Sequence, residues 1–193
     1  MRQTGADILF CQIRRIGFDE CMQVIPELKQ SAFIAYSDLM VGISTQTLLM
    51  KRRVAETIRF DETMPRFQDL EWLLRAAKKY TLYGMKEVLV KCHFSEDSIS
   101  RSDERLLGGI SKIHKKYPRL LKEAPAVHAV LRNFVMDEGM TRLVDNRDDY
   151  TDFLLLGFAL SDKPLDRLKY LAVCFGIFRS IYVVRHQGER RRI

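Results

Sequence analysis

The sequence predicts an α/β protein, with a sheet domain over residues 1–101 followed by a C-terminal helical region over 102–193. Three observations carry that prediction. Short apolar runs such as Ile8-Leu9-Phe10-Cys11-Gln12-Ile13 and Val88-Leu89-Val90 have the length and composition of buried strands. Between them, Leu70, Leu73, Leu74 and Ala77 recur at i, i+3, i+4, i+7, the stripe of a helix lying on a core. Beyond Ser102 the chain shows helix starts and proline stops instead of strand patterns. A composition of 47% hydrophobic and 30% charged residues fits a folded globular protein and excludes wholesale disorder.

In order, residues 6–13 predict a first strand close to the start of the chain. A strand so apolar needs neighbours, and the expectation is an exposed edge at Ile8, Phe10 and Ile13. Gly17 to Glu20 reads as a turn, and Gln23 to Met40 as loop with short helix. Val41 to Met50 predicts a second strand, and Lys51-Arg52-Arg53 starts a short helix. After the Leu70 helix, Tyr80–Tyr83 and Val88–His93 predict two short strands around a Gly84 turn.

The helical region divides at its prolines. Ser102-Asp103-Glu104 is a cap-like start and Pro118 a stop. Further helices are expected over 125–138, 148–160 and 164–185, the last with Pro164 in its first turn. Asp145, Asp148, Asp149 and Asp152 read as a solvated helix start. Residues 163–193 hold eight Lys or Arg against two acidic residues, and so carry nearly all of the net charge of +7. A basic tail of this kind points to an acidic partner. The four cysteines, at 11, 21, 92 and 174, lack Cys-x-x-Cys spacing and read as reduced, mostly buried thiols of a cytosolic protein. No signal-peptide pattern opens the chain, and the most apolar segment, Tyr170–Val184, is 15 residues long and interrupted by Arg179. A spanning helix needs about 20.

The most informative stretch is Ile58 to Arg75, which begins as a proline-containing loop and ends as a helix with Asp69 at the join. Two readings of Asp69 stay open. Unpaired N–H groups and the helix dipole favour a carboxylate there as a cap. The same position presents a carboxylate at a cleft edge, as a general base requires.

Phe60-Asp61-Glu62, Gln68-Asp69, Trp72 and Arg75 together resemble the acceptor-side signature of the family 2 glycosyltransferases. In that family a Phe-Asp-Glu turn precedes an acidic pair that opens a helix ending in Leu-Arg, and the Asp of the pair deprotonates the acceptor hydroxyl. The resemblance assigns that role to Asp69. Gln68 stands where the family has Glu more often, so position 68 has no proton-transfer role. The resemblance further implies acceptor contacts from Ser44, Thr45, Gln46, Gln68 and Trp72, with ordinary strand residues as the alternative reading of 44–46. Lys91, His93 and Ser98-Ile99-Ser100 follow the order of a family strand that ends in a basic residue and a His. His93 would then help hold a divalent metal, Mn or Mg, and His93, Ser98, Ser100 and Arg101 would meet the donor pyrophosphate.

The likeness covers residues 6 to about 101 and implies the acceptor-side half of a GT-A fold, a Rossmann-like sheet that transfers sugar from a nucleotide-sugar donor with inversion. The acceptor class implied is a glycan or a lipid-linked glycan. The family's donor half, with an Asp-x-Asp that ligates the metal, has no counterpart in these 193 residues. The expectation is therefore a truncated or split reading frame that does not turn over alone. The main metal ligands would lie outside it. The location implied is cytoplasmic, peripheral on the inner face of the cell membrane, with residues 163–193 on anionic lipid and no nucleic-acid partner. The competing class is a non-enzymatic basic helical module that binds an anionic surface through that tail.

Overall fold

The computed structural model describes residues 3–16, 22–93 and 102–162, with 164, 167, 168 and 171. The described chain is mixed α/β, as the sequence predicts. It forms two compact units, Met1–Val127 and His128–Ile193.

The first unit is built on a five-stranded sheet. Strand β1 (Ile8–Ile16) is its centre: β5 (Leu82–His93) runs parallel on one side, and β2 (Met22–Ile25) and β4 (Leu48–Met50) run antiparallel on the other. Strand β3 (Ala32–Ile34) pairs with the start of β5. The exposed edge expected at β1 is therefore not found, because β1 is paired on both sides and Ile8, Phe10 and Ile13 are 0%, 1% and 1% exposed. The flanking strands that cover it come from the stretch 22–50, where β2 and β3 replace much of the expected loop.

Two further strand expectations are corrected. Val41–Met50 is strand only over Leu48–Met50, since Gly42 adopts φ +103° in a turn and Thr45–Thr47 form a 3₁₀ turn in which the Thr47 hydroxyl donates to Ser44 O at 2.7 Å. Gly84 does not turn the chain either; β5 runs through it for 12 residues. A Cβ at Gly84 would fall 2.7 Å from Phe10 Cζ and 2.9 Å from Leu28 Cδ1, so the glycine is there to let core side chains cross the strand. β5 bulges further along, where Cys11 pairs Met85 but Gln12 pairs Val88.

Helix α1 (Arg52–Thr57) starts where the basic triplet predicts it, and α2 (Gln68–Ala76) where the apolar stripe does. Helix α3 (Asp103–Lys116) is capped by Ser102, whose hydroxyl accepts from Arg105 N at 3.3 Å, and α4 (Pro118–Glu123) begins on the expected proline. Cys11 and Cys92 are free thiols. Asp7, at the foot of β1, takes Lys51 at 2.9 Å, Arg53 and Thr81 together, tying α1 and β5 to the sheet; these cations hold its carboxyl well below the usual range.

The second unit begins just inside α5 (Pro125–Val144), which is longer than expected, and continues through α6 (Tyr150–Leu160). Met140, Leu143 and Leu154 form its core with Met136, Tyr150 and Phe158 against them. Arg142, 1% exposed, pairs with Glu138 and Asp149 and lies 4.1 Å over the Phe153 ring. Of the acidic cluster, Asp149 thus anchors a buried arginine. Among the described residues no helix is long and apolar enough to cross a membrane. The expected helix over 164–185 and the basic tail lie almost wholly outside the described residues.

Candidate functional site

The site is the junction between the loop 58–67 and α2, at the carboxyl end of the parallel β1/β5 pair. Ligands of open α/β sheets gather at that end, beyond the strands.

Every turn of the loop is tied down. Asp61 Oδ1 accepts from Thr63 N at 3.0 Å, Met64 N donates to Asp61 O at 3.1 Å, and Gln68 Nε2 donates to Met64 O at 3.0 Å. Helix α3 holds the loop from outside. Lys116 Nζ reaches Asp61 at 2.8 Å and Lys112 Nζ donates to Thr63 O at 2.9 Å. The Lys116 ammonium and the Thr63 donors keep the Asp61 carboxyl far below its ordinary value.

The loop's last residue, Phe67, caps α2 in the left-handed region at φ +63°, which a bulky side chain rarely adopts. Gly109 of α3 packs directly against this turn. It lies so close that a Cβ there would stand 2.8 Å from Arg66 O and 3.1 Å from the Phe67 ring.

Helix α2 is buried over most of its circumference. Trp72 is 0% exposed, its indole N–H donates to Ile58 O at 2.7 Å, and its ring stacks on Phe60 at 5.6 Å. Trp72 therefore supports the loop from behind. Glu71, also 0% exposed, accepts from Arg75 Nε at 2.8 Å and Nη2 at 2.7 Å, and from the Tyr117 hydroxyl. Arg75 Nη2 in turn donates to Arg59 O at 2.7 Å. Burial, with Glu71 alongside, pushes the Tyr117 hydroxyl pKa up. The spacing of Glu71 and Arg75, i and i+4, was the available signal for this pair; Tyr117 had none.

Asp69 sits in the first turn of α2, half-buried, with Oδ1 accepting from Leu70 N at 2.8 Å. Burial raises its pKa, opposed by the Leu70 N–H and by the charge of Arg15. Phe67, not Asp69, is the N-cap residue; Asp69 lies in the first turn, where it accepts from a helix amide and is also a carboxylate made more basic than usual. The charge of Arg15, at the end of β1, acts on Asp69 and on Arg66 of the loop, and neither arginine stands out in the sequence.

The other expected residues are placed as follows. Gln68 is exposed beside Asp69. Thr45 and Gln46 are exposed and Ser44 half-buried, in the turn that leads into β4; Ser44 Oγ is enclosed without a hydrogen-bond partner. His93 ends β5 opposite Ile16, while Cys92 pairs Arg15, so strand alternation sets His93 on the other face from Arg15. Among the described residues no three His, Cys, Asp or Glu side chains are grouped to hold a metal, and His93 alone does not make such a site. Ser98, Ser100 and Arg101 lie outside the described residues. No family model, curated protein or solved structure matches the chain.

Proposed function

We propose that this chain supplies the acceptor side of an inverting, nucleotide-sugar-dependent glycosyl transfer, with Asp69 as the general base. The observation that carries the reading is the state of Asp69: a half-buried carboxylate with a raised pKa, fixed by helix amides at the carboxyl end of a parallel strand pair. A base for a sugar hydroxyl must be ionised yet basic, and must be held in place. Burial supplies the basicity and the locked loop supplies the position.

In the step itself, Asp69 takes the proton of the acceptor hydroxyl as its oxygen attacks the anomeric carbon. The bond from that carbon to the donor's phosphate oxygen breaks, and its electron pair leaves with the nucleoside diphosphate. Inversion follows from attack opposite the leaving group. The described residues contribute to the acceptor half of this step; they do not assemble a donor set for a divalent ion, and no part of the account passes through one. Gln68 is the exposed neighbour able to hydrogen-bond an acceptor.

The test is transfer by the full chain from a panel of nucleotide sugars to glycan acceptors, wild type against Asp69→Asn. Loss of transfer of at least about 10²-fold is expected. Near-normal transfer by D69N would reduce Asp69 to a first-turn contact of α2.

A further inference from the structure

Helix α3 carries two neighbouring glycines in its interior, and packing requires only one of them. Gly109 lies too close to Arg66 O for a Cβ to fit. At Gly108 a Cβ would meet only Pro65 Cγ, at 3.4 Å, which is an ordinary contact. An interior glycine weakens a helix relative to alanine, so Gly108 loosens α3 without a packing reason. A bare backbone is also what lets a ligand come close.

Gly108 lies in an open depression of about 440 Å³, whose described lining is Gly108, Ser111, Lys112, Lys115 and Lys116. The sequence accounts for its shape. Two small residues, at i and i+3, leave a trough on the helix surface, and the lysine stems at i+4, i+7 and i+8 rise along it. Its volume is in the range of about 300–1,000 Å³ usual for small-ligand sites. The lysine ammonium groups and the Ser111 hydroxyl suit a phosphate, to which each lysine brings a mobile point charge with several donors.

Two of these lysines also hold the loop that leads into Asp69. Lys112 Nζ donates to Thr63 O at 2.9 Å, and Lys116 Nζ reaches Asp61 at 2.8 Å. Both contacts are solvent-exposed, and exposed ion pairs are weak enough for another anion to compete.

We propose that this depression binds a small soluble ligand through its phosphate, and that the bound phosphate draws Lys112 and Lys116 off Thr63 and Asp61, loosening the 58–67 loop. Asp61 is then the ligand's competitor, because its carboxylate and the phosphate share one ammonium group. The site stands whether or not Asp69 is a base.

The test is a titration of the full chain with pyrophosphate and with inorganic phosphate, followed by the Gly108 and Lys112 amides in NMR and by Trp72 fluorescence. Trp72, the single tryptophan, stacks on Phe60 of the loop and so reports its loosening. Pyrophosphate, able to span two ammonium groups, should bind more tightly than phosphate, and both more weakly as salt is raised. Lys115→Gln leaves the two loop contacts in place and should weaken binding about 5-fold, the upper end for an exposed charge pair. Gly108→Ala should also bind more weakly, although the helix gains stability. Asp61→Asn frees Lys116 and should tighten binding by a similar factor. Absence of binding at about 0.1 M salt, or unchanged affinity in both Gly108→Ala and Lys115→Gln, overturns the site. Amide shifts at Gly108 with unchanged Trp72 emission overturn the coupling to the loop. Binding to anionic lipid vesicles but to neither soluble anion overturns the small-ligand assignment.

Discussion

Gly108 and Gly109 are neighbours in the interior of α3, and alanine at each should move stability in opposite directions. Replacing an interior helical glycine by alanine ordinarily gains about 1 kcal/mol. At Gly108 the new Cβ meets only Pro65 Cγ, at 3.4 Å, so the gain should survive. At Gly109 it meets Arg66 O at 2.8 Å and Arg66 C at 3.3 Å, and these are backbone atoms of a loop already pinned at both ends. Relieving that clash means moving the loop, at about 1–3 kcal/mol for overpacking of this kind. Both substitutions share the same helix propensity, so the difference between them isolates the clash. Gly109→Ala should be less stable than Gly108→Ala by about 1–3 kcal/mol, or roughly 4 °C in melting temperature per kcal/mol. Trp72, the chain's single tryptophan, lies buried in α2 and reports this unit by fluorescence during urea unfolding. Its stack on Phe60 should also change in Gly109→Ala at zero denaturant. A Gly109→Ala protein as stable as Gly108→Ala would refute the clamp and, with it, the account of Phe67 and of how Asp69 is presented.

Three other outcomes follow from the same geometry. Arg75→Ala strands the buried Glu71 carboxylate and should cost about 3–5 kcal/mol in urea unfolding; a loss below 1 kcal/mol would mean that Tyr117 suffices. Because the folded-state pKa of Asp69 is raised, its ionisation works against folding: the native state loses stability as pH rises from the ordinary aspartate value through the raised one. Asp69→Asn should therefore gain on wild type across that window in melts at stepped pH, and a constant difference would count against a buried ionisation. Gly84→Val would drive carbon into the Phe10 ring and Leu28, and should lower the melting temperature of the sheet unit by several degrees or prevent its folding; a wild-type melt would show that the core there is loose.

Much of this was legible in the residues alone. The apolar stripe at Leu70, Leu73 and Leu74 places α2 because helical period is a local property, and Pro118 and Ser102 mark helix ends by local chemistry. The central strand is equally plain, since a run with apolar residues on both faces must be enclosed. Asp69 could be singled out at the helix start, but its raised pKa could not, because desolvation depends on what packs over it. The strands around β1 were harder to find. β2, β3 and β4 are three or four residues long, too short for a period to declare itself, and pairing with β1 or β5 makes them strands. Gly84 was misread for a related reason: a glycine in a strand looks like a turn until the Phe10 ring beneath it is seen. Arg15 and Arg66 are 51 positions apart in the chain and ordinary in their local context. Only the folding of the chain brings the charge of Arg15 to bear on both Arg66 and Asp69, because electrostatic coupling follows distance in space and leaves no period in sequence.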